Sequence, residues 1–228
     1  MVRPSTSPFR TRQVAQLPVR FWLAAIPLST GAGLIVHVAS DISLLMGVAL
    51  SLILAISLVT VVLLRLPAPR RREIGTRVLV GAAAGLAATV AYDATRLIVV
   101  TAIPMTFWPF DAIQMFGRLL AGPTATPVAI TAVGVGYHLT NGICFGIGYA
   151  LIVKQPRLRT AIAWAAFLEA LMVSIYPGWL HLQAMDEFLS VSIAGHAAYG
   201  LTLGLISRHS LASARRESGD LPDMAAPA

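Results

Sequence analysis

Six apolar runs, about 21–39, 42–64, 78–103, 128–153, 160–179 and 187–207, restrict what this chain can become. A helix needs ~20 residues at ~1.5 Å each to cross a ~30 Å hydrocarbon core, and each run meets that length. With 57% hydrophobic and 12% charged residues and a mean hydropathy of +0.75, a 228-residue chain has too little polar surface to enclose these runs in a water-soluble domain. Lipid leaves an open sheet edge unsatisfied, so the spans are expected to be helical. The predicted fold class is therefore all-α, a polytopic membrane helix bundle with six transmembrane helices.

The basic residues set the orientation. They cluster at Arg3–Arg20, Arg65–Arg77, Lys154–Arg159 and Arg208–Arg216, which together hold 15 of the 17 lysines and arginines. Alternate threading of six spans puts all four groups on one face, which the positive-inside rule makes cytoplasmic. Both termini are then cytoplasmic, in a bacterial inner (plasma) membrane. The opposite face carries Asp41, Asp111, Asp186 and Glu187, with Arg118 its clear basic residue. The net charge of +7 is explained by topology and anionic headgroups, and no nucleic-acid recognition module accompanies it. The lipid bilayer is the expected partner. Cys144 is the single cysteine, which rules out an intramolecular disulfide. The first run begins after about 20 residues, contains Pro27 and shows no convincing cleavage site, so no removable signal is expected.

The chain divides into a cytoplasmic basic tail (1–20), a transmembrane hairpin (21–64), an Arg/Pro-rich cytoplasmic link (65–77), a four-helix core (78–207) and a disordered tail (208–228). Within the core, residues 104–127 interleave aromatic residues with Asp111 and Arg118. That pattern suits an amphipathic segment lying in the outer headgroup zone, as an anchor or as a lid.

Two core spans share one pattern, His-x-x-x-Gly-x-x-x-Gly, at His138/Gly142/Gly146 and His196/Gly200/Gly204. Residues four apart stack on one helical face, so each span presents a titratable ring above a seam of bare backbone suited to close helix packing. A third span shows Gly81, Gly85, Thr89 and Asp93 at the same spacing in the opposite direction. Asp93, His138, Glu169 and His196 each lie about nine or ten residues from the outer end of their span. At ~1.5 Å per residue that is roughly 15 Å deep, near the midplane. The order carboxylate then histidine recurs, Asp93 before His138 and Glu169 before His196, which reads as a degenerate two-helix repeat with a site at its interface.

Intramembrane ionisable groups cost ~2.5–3.5 kcal/mol each on insertion scales and normally face the bundle interior in pairs. Arg96 can neutralise Asp93 on the same helix; Tyr92, Asn141 and Tyr199 are supporting polar groups. Three uses of the four midplane groups stay open. They suit a proton or cation site of a small transporter, since imidazole titrates near neutral pH. They equally suit a divalent transition metal (Zn, Fe or Mn), in a metal-binding protein or metalloenzyme. They also suit a polar core in a structural subunit, where the glycine seams pack within one chain, in a homo-oligomer or against a membrane-complex partner. The transporter reading is preferred because the acidic outer mouth favours cations; His181, Asp186 and Glu187 are its candidate vestibule. No nucleophile triad, Walker loop or HExxH motif is present to define an enzyme.

The stretches YHLTNGICFGIGYALIV (137–153) and IAGHAAYGLTLGLISR (193–208) resemble the YagU-like family of bacterial inner-membrane proteins associated with acid resistance. The resemblance covers the C-terminal hundred residues and implies an inner-membrane helical protein, with no catalytic residues to carry over.

Overall fold

The structure is a computed structural model that describes residues 19–179 and 184–217. Seven helices follow in order: α1 (Val19–Ala39), α2 (Leu44–Arg65), α3 (Ala68–Ala102), α4 (Asp111–Ala121), α5 (Pro127–Ile152), α6 (Leu158–Trp179) and α7 (Met185–Glu217). No strand occurs among the described residues. The protein is an all-α membrane bundle. Helices α2, α3, α5, α6 and α7 are each long and apolar enough to cross a membrane; α1 adds the shorter apolar stretch Pro27–Ala39. Large apolar side chains point outward, including Leu54 (72% exposed), Leu64 (74%) and Leu79 (73%). Such a surface is tolerable in lipid and not in water.

Helix ends are set locally. The Ser43 hydroxyl accepts from Met46 N at 3.2 Å, and Thr126 accepts from Ala129 N at 3.3 Å ahead of Pro127 at the first helical position. Gly122 ends α4 with φ +87°, a conformation other residues rarely adopt.

Two boundaries differ from those read in the sequence. Most of the 65–77 link is helical, because Pro67, Ala68 and Pro69 start α3 and the chain runs on through Arg70–Arg77 without a break. The helix α7 likewise continues to Glu217, through residues 208–217 that the composition assigned to a disordered tail. Leu211 is buried, so apolar packing sustains these last turns. Residues 1–18 and 218–228 lie outside the described residues.

Helix α3 is the central element and packs on both α5 and α7; α6 packs on α7, and α1 bridges α2 and α5. The glycine seams make these crossings close. A Cβ on Gly146 would stand 2.4 Å from Gly81 O and 2.5 Å from Gly85 Cα, and one on Gly85 would stand 2.5 Å from Gly142 O. Gly200 and Gly204 instead face alanines of α6, their added Cβ atoms 2.9 Å from the Cβ of Ala165 and of Ala161. All six glycines therefore serve packing within one chain. The interfacial segment is equally close to α5, where Cβ atoms on Gly117 and Gly134 would each come to 2.0 Å from a carbonyl oxygen, of Ile130 and Ile113.

Arg77, grouped by sequence with the topological charges, is 5% exposed. Its Nη1 donates to Ala150 O (2.8 Å) and Val153 O (3.1 Å), its Nη2 to Lys154 O (3.1 Å), and its Nε to Glu73 Oε1 (3.1 Å). One guanidinium thus satisfies the carbonyls that end α5, where no helical N–H is left to do so. Arg77→Ala is expected to cost about 3 kcal/mol, the scale of losing hydrogen bonds to a charged group. Lysine should restore only part of it, since an ammonium lacks the planar fork. Thermal melting of the purified variants in detergent checks both.

Candidate functional site

The structure brings the four predicted midplane groups together as two pairs. In the first, His138 Nε2 (α5) lies 2.9 Å from Asp93 Oδ2 (α3). Arg96, one turn from Asp93, approaches its other oxygen at 3.4 Å. The Arg96 guanidinium also donates to Pro109 O and stacks over the rings of Tyr92 (4.7 Å) and Phe110 (5.2 Å). In the second pair, His196 Nδ1 (α7) lies 2.6 Å from Glu169 Oε2 (α6), and the same oxygen accepts from Ser192 Oγ at 2.6 Å. All four side chains are at most a quarter exposed.

Tyr92 stands between the pairs. Its ring centroid is 4.9 Å from that of His196, edge to face, and 6.2 Å from that of His138. The expectation of a single four-group shell is corrected by this ring. Among the described residues no three His, Cys, Asp or Glu side chains converge as a metal-binding group. Each carboxylate meets the histidine of the helix it packs against.

The repeat is closer than spacing alone suggested. Aligning Asp93 with Glu169 sets Gly85 and Thr89 against Ala161 and Ala165, and the packing keeps that register. A Cβ on Gly142 would meet Thr89 Oγ1, and one on Gly200 meets Ala165. Ala161-x-x-x-Ala165-x-x-x-Glu169 is thus the α6 counterpart of the α3 seam. Alanine is too common in apolar helices for that signal to be noticed unless the α3 register is laid over it.

The supporting residues separate. Tyr199 donates to Gly142 O at 3.0 Å, tying α7 to α5. Among the described residues, Asn141 Oδ1 is buried with no hydrogen-bond partner, as is Glu169 Oε1. Among the vestibule candidates, Glu187 anchors a loop: its Oε2 accepts from Thr106 N (2.7 Å), Thr106 Oγ1 (3.1 Å) and Phe107 N (2.7 Å). Asp186 is exposed beside it. His181 lies outside the described residues.

Two cavities meet at this site. The larger, about 580 Å³, runs from exposed Asp111 and Arg118 on α4 down to Tyr92, His138 and Ser192, so it touches the first pair at His138 and reaches the second only through Ser192, which donates to Glu169. Residues 104–110 form its wall, held by Arg96 from α3 and Glu187 from α7. The smaller, about 140 Å³, lies between α5 and α6 and reaches both histidines. Toward the arginine-rich end the bundle is closed by the glycine and alanine seams, with Tyr149 and Leu203 fully buried.

A multi-pass helical membrane protein with two partly buried carboxylate–imidazole pairs beneath a one-sided cavity is the class this architecture defines. Residues 75–217 match DUF6789, a family of unknown function, and the chain belongs to that family. The matched region starts within α3, ends with α7 and contains both pairs. No curated protein and no solved structure matches the chain.

Proposed function

We propose that this protein is a proton-handling carrier of a bacterial inner membrane, with six crossings that include α1 and with both termini cytoplasmic. The arginine-rich end of the bundle supports that orientation through the positive-inside rule. The observation that carries the function is the pairing itself. A proton delivered to the Glu169–His196 pair neutralises that pair as a whole, so the charge held there in low dielectric falls when the site loads; at Asp93–His138 the Arg96 guanidinium already balances the carboxylate. An isolated histidine would do the reverse. The cavity from the acidic end touches His138 of the first pair and Ser192, which donates to Glu169 of the second, while the seams close the other end. This arrangement suits uptake from the outside, and release requires α3 and α5, or α6 and α7, to part. The stretches that resemble YagU-like proteins contain both histidines, and an acid-resistance association fits proton handling.

A transition metal is the competing use of the same groups, and two donors per pair favour it less than a three-donor shell would. Proteoliposomes enclosing a pH-sensitive dye test the proposal. Asp93→Asn and Glu169→Gln are expected to lower proton flux at least tenfold while leaving insertion intact. Unchanged flux in both variants would remove the carrier reading. Stoichiometric metal in the purified protein, lost on His138→Ala and His196→Ala, would replace it with the metal one.

A further inference from the structure

The two halves of the repeat differ in one interface. Helix α3 packs along α7, whereas α6 and α5, the corresponding helices of the register above, share almost no backbone packing, and α1 only brushes α6. At the closed interface the Tyr92 ring lies against Gly195, whose added Cβ would stand 2.8 Å from Tyr92 Cδ2. At the open one, position 92 corresponds to Leu168, and position 195 to Tyr137. The Tyr137 hydroxyl is turned away to Thr30 O of α1 at 3.0 Å. Among the described residues, no phenol ring of α6 therefore stands beside His138 as Tyr92 of α3 stands beside His196, although Tyr92 and Tyr199 line the same space from α3 and α7.

What is left is the 140 Å³ cavity. An apolar cavity of about 150 Å³ accepts a benzene-sized ring. Its mouth is bordered by Ile35 of α1 and Leu171 of α6, both 37% exposed on the lipid-facing surface. Its lining includes His138, His196 and Asn141, and among the described residues Asn141 Oδ1, like Glu169 Oε1, is a buried acceptor that receives no hydrogen bond. An acceptor in that state calls for a donor, which a hydroxyl on an entering ring supplies and a plain hydrocarbon does not.

We infer that the slot between α5 and α6 binds the ring of a lipid-soluble hydroxyaromatic molecule, a phenol or quinol, whose tail stays in the bilayer. The ring enters sideways between Ile35 and Leu171, takes the position that Tyr92 holds in the other half, and donates its hydroxyl to Asn141 Oδ1. This deepens the proposed function by naming the class of molecule that brings or removes the proton, and its binding is measured apart from any flux.

The full chain in phosphatidylcholine/phosphatidylglycerol nanodiscs is titrated with 4-decylphenol and, as the probe without a hydroxyl, decylbenzene. Saturable one-to-one binding of decylphenol is expected, with decylbenzene at least tenfold weaker. Asn141→Leu should erase that difference. Leu168→Tyr, which refills the slot with a tethered ring, and Ile35→Trp, which narrows the mouth, should each weaken decylphenol at least tenfold. Because Ile35 is at the surface, Ile35→Trp reports even where Leu168→Tyr fails to fold. Equal binding of the two probes, no saturation, or binding untouched by Ile35→Trp overturns the inference. Binding that behaves as expected alongside absent proton flux would leave the slot standing and remove only the carrier.

Discussion

Gly146→Ala is expected to be among the most destabilising single-methyl additions in the chain, and Gly146→Leu to prevent recovery of folded protein. The added Cβ would come to 2.4 Å from Gly81 O, 2.5 Å from Gly85 Cα and 2.8 Å from Gly85 N. All three are backbone atoms of α3, so no rotamer change relieves the contact. The two helices must separate, and with them the Asp93–His138 pair and the Tyr199 bond to Gly142 O are stretched. Overpacking ordinarily costs about 1–3 kcal/mol, and a clash with rigid backbone belongs at or above the top of that range. Gly136 supplies the control on the same helix, since a Cβ there meets nothing within 4 Å. Gly136→Ala should be neutral or stabilising by up to about 1 kcal/mol through helix propensity. Melting temperatures of the two alanine variants in one detergent decide it: comparable values would mean that the α3/α5 crossing is not as close as described.

The same crossing shows which parts of the fold are legible in a sequence and which are not. Hydrophobic run length places α2, α3, α5, α6 and α7, because the bilayer imposes one dimension on every span. The seam Gly142/Gly146 and its partner Gly81/Gly85 are legible as well, since bare backbone at a spacing of four has few uses other than close approach. Depth is a second readable coordinate, and it puts Asp93, His138, Glu169 and His196 on one level. Rotation about each helix axis is not readable in this way, because it depends on which neighbour a face meets. That missing angle is why Tyr92 reads as a supporting group in the sequence although its ring stands between the pairs. Arg77 and Glu187 illustrate a related limit. A charge at a span end reads equally as a topological signal, a solvated vestibule group or a backbone cap. Only the carbonyls of Ala150, Val153 and Lys154, and the amides of Thr106 and Phe107, distinguish these.

Arg96 breaks the repeat, and its replacement is expected to have the second large effect. Its counterpart in the other half is Met172, three residues after Glu169 as Arg96 is three after Asp93. The arginine is 8% exposed and holds together Asp93, the carbonyl of Pro109, and the rings of Tyr92 and Phe110. Arg96→Met keeps much of the apolar volume and removes the charge, leaving Asp93 to His138 alone and the 104–110 wall to Glu187 alone. Breaking one side of a buried ion pair costs about 3–5 kcal/mol; with the Asp93 side chain 24% exposed, the low end applies here. Amide hydrogen exchange in residues 104–110 should accelerate, because the carbonyl of Pro109 loses its donor. Adding Asp93→Asn removes the uncompensated carboxylate, so the double variant should recover a large part of the lost stability, a non-additive result expected of groups in direct contact. A double variant as unstable as the sum of the two singles would show that Arg96 acts through the loop and its rings rather than through Asp93.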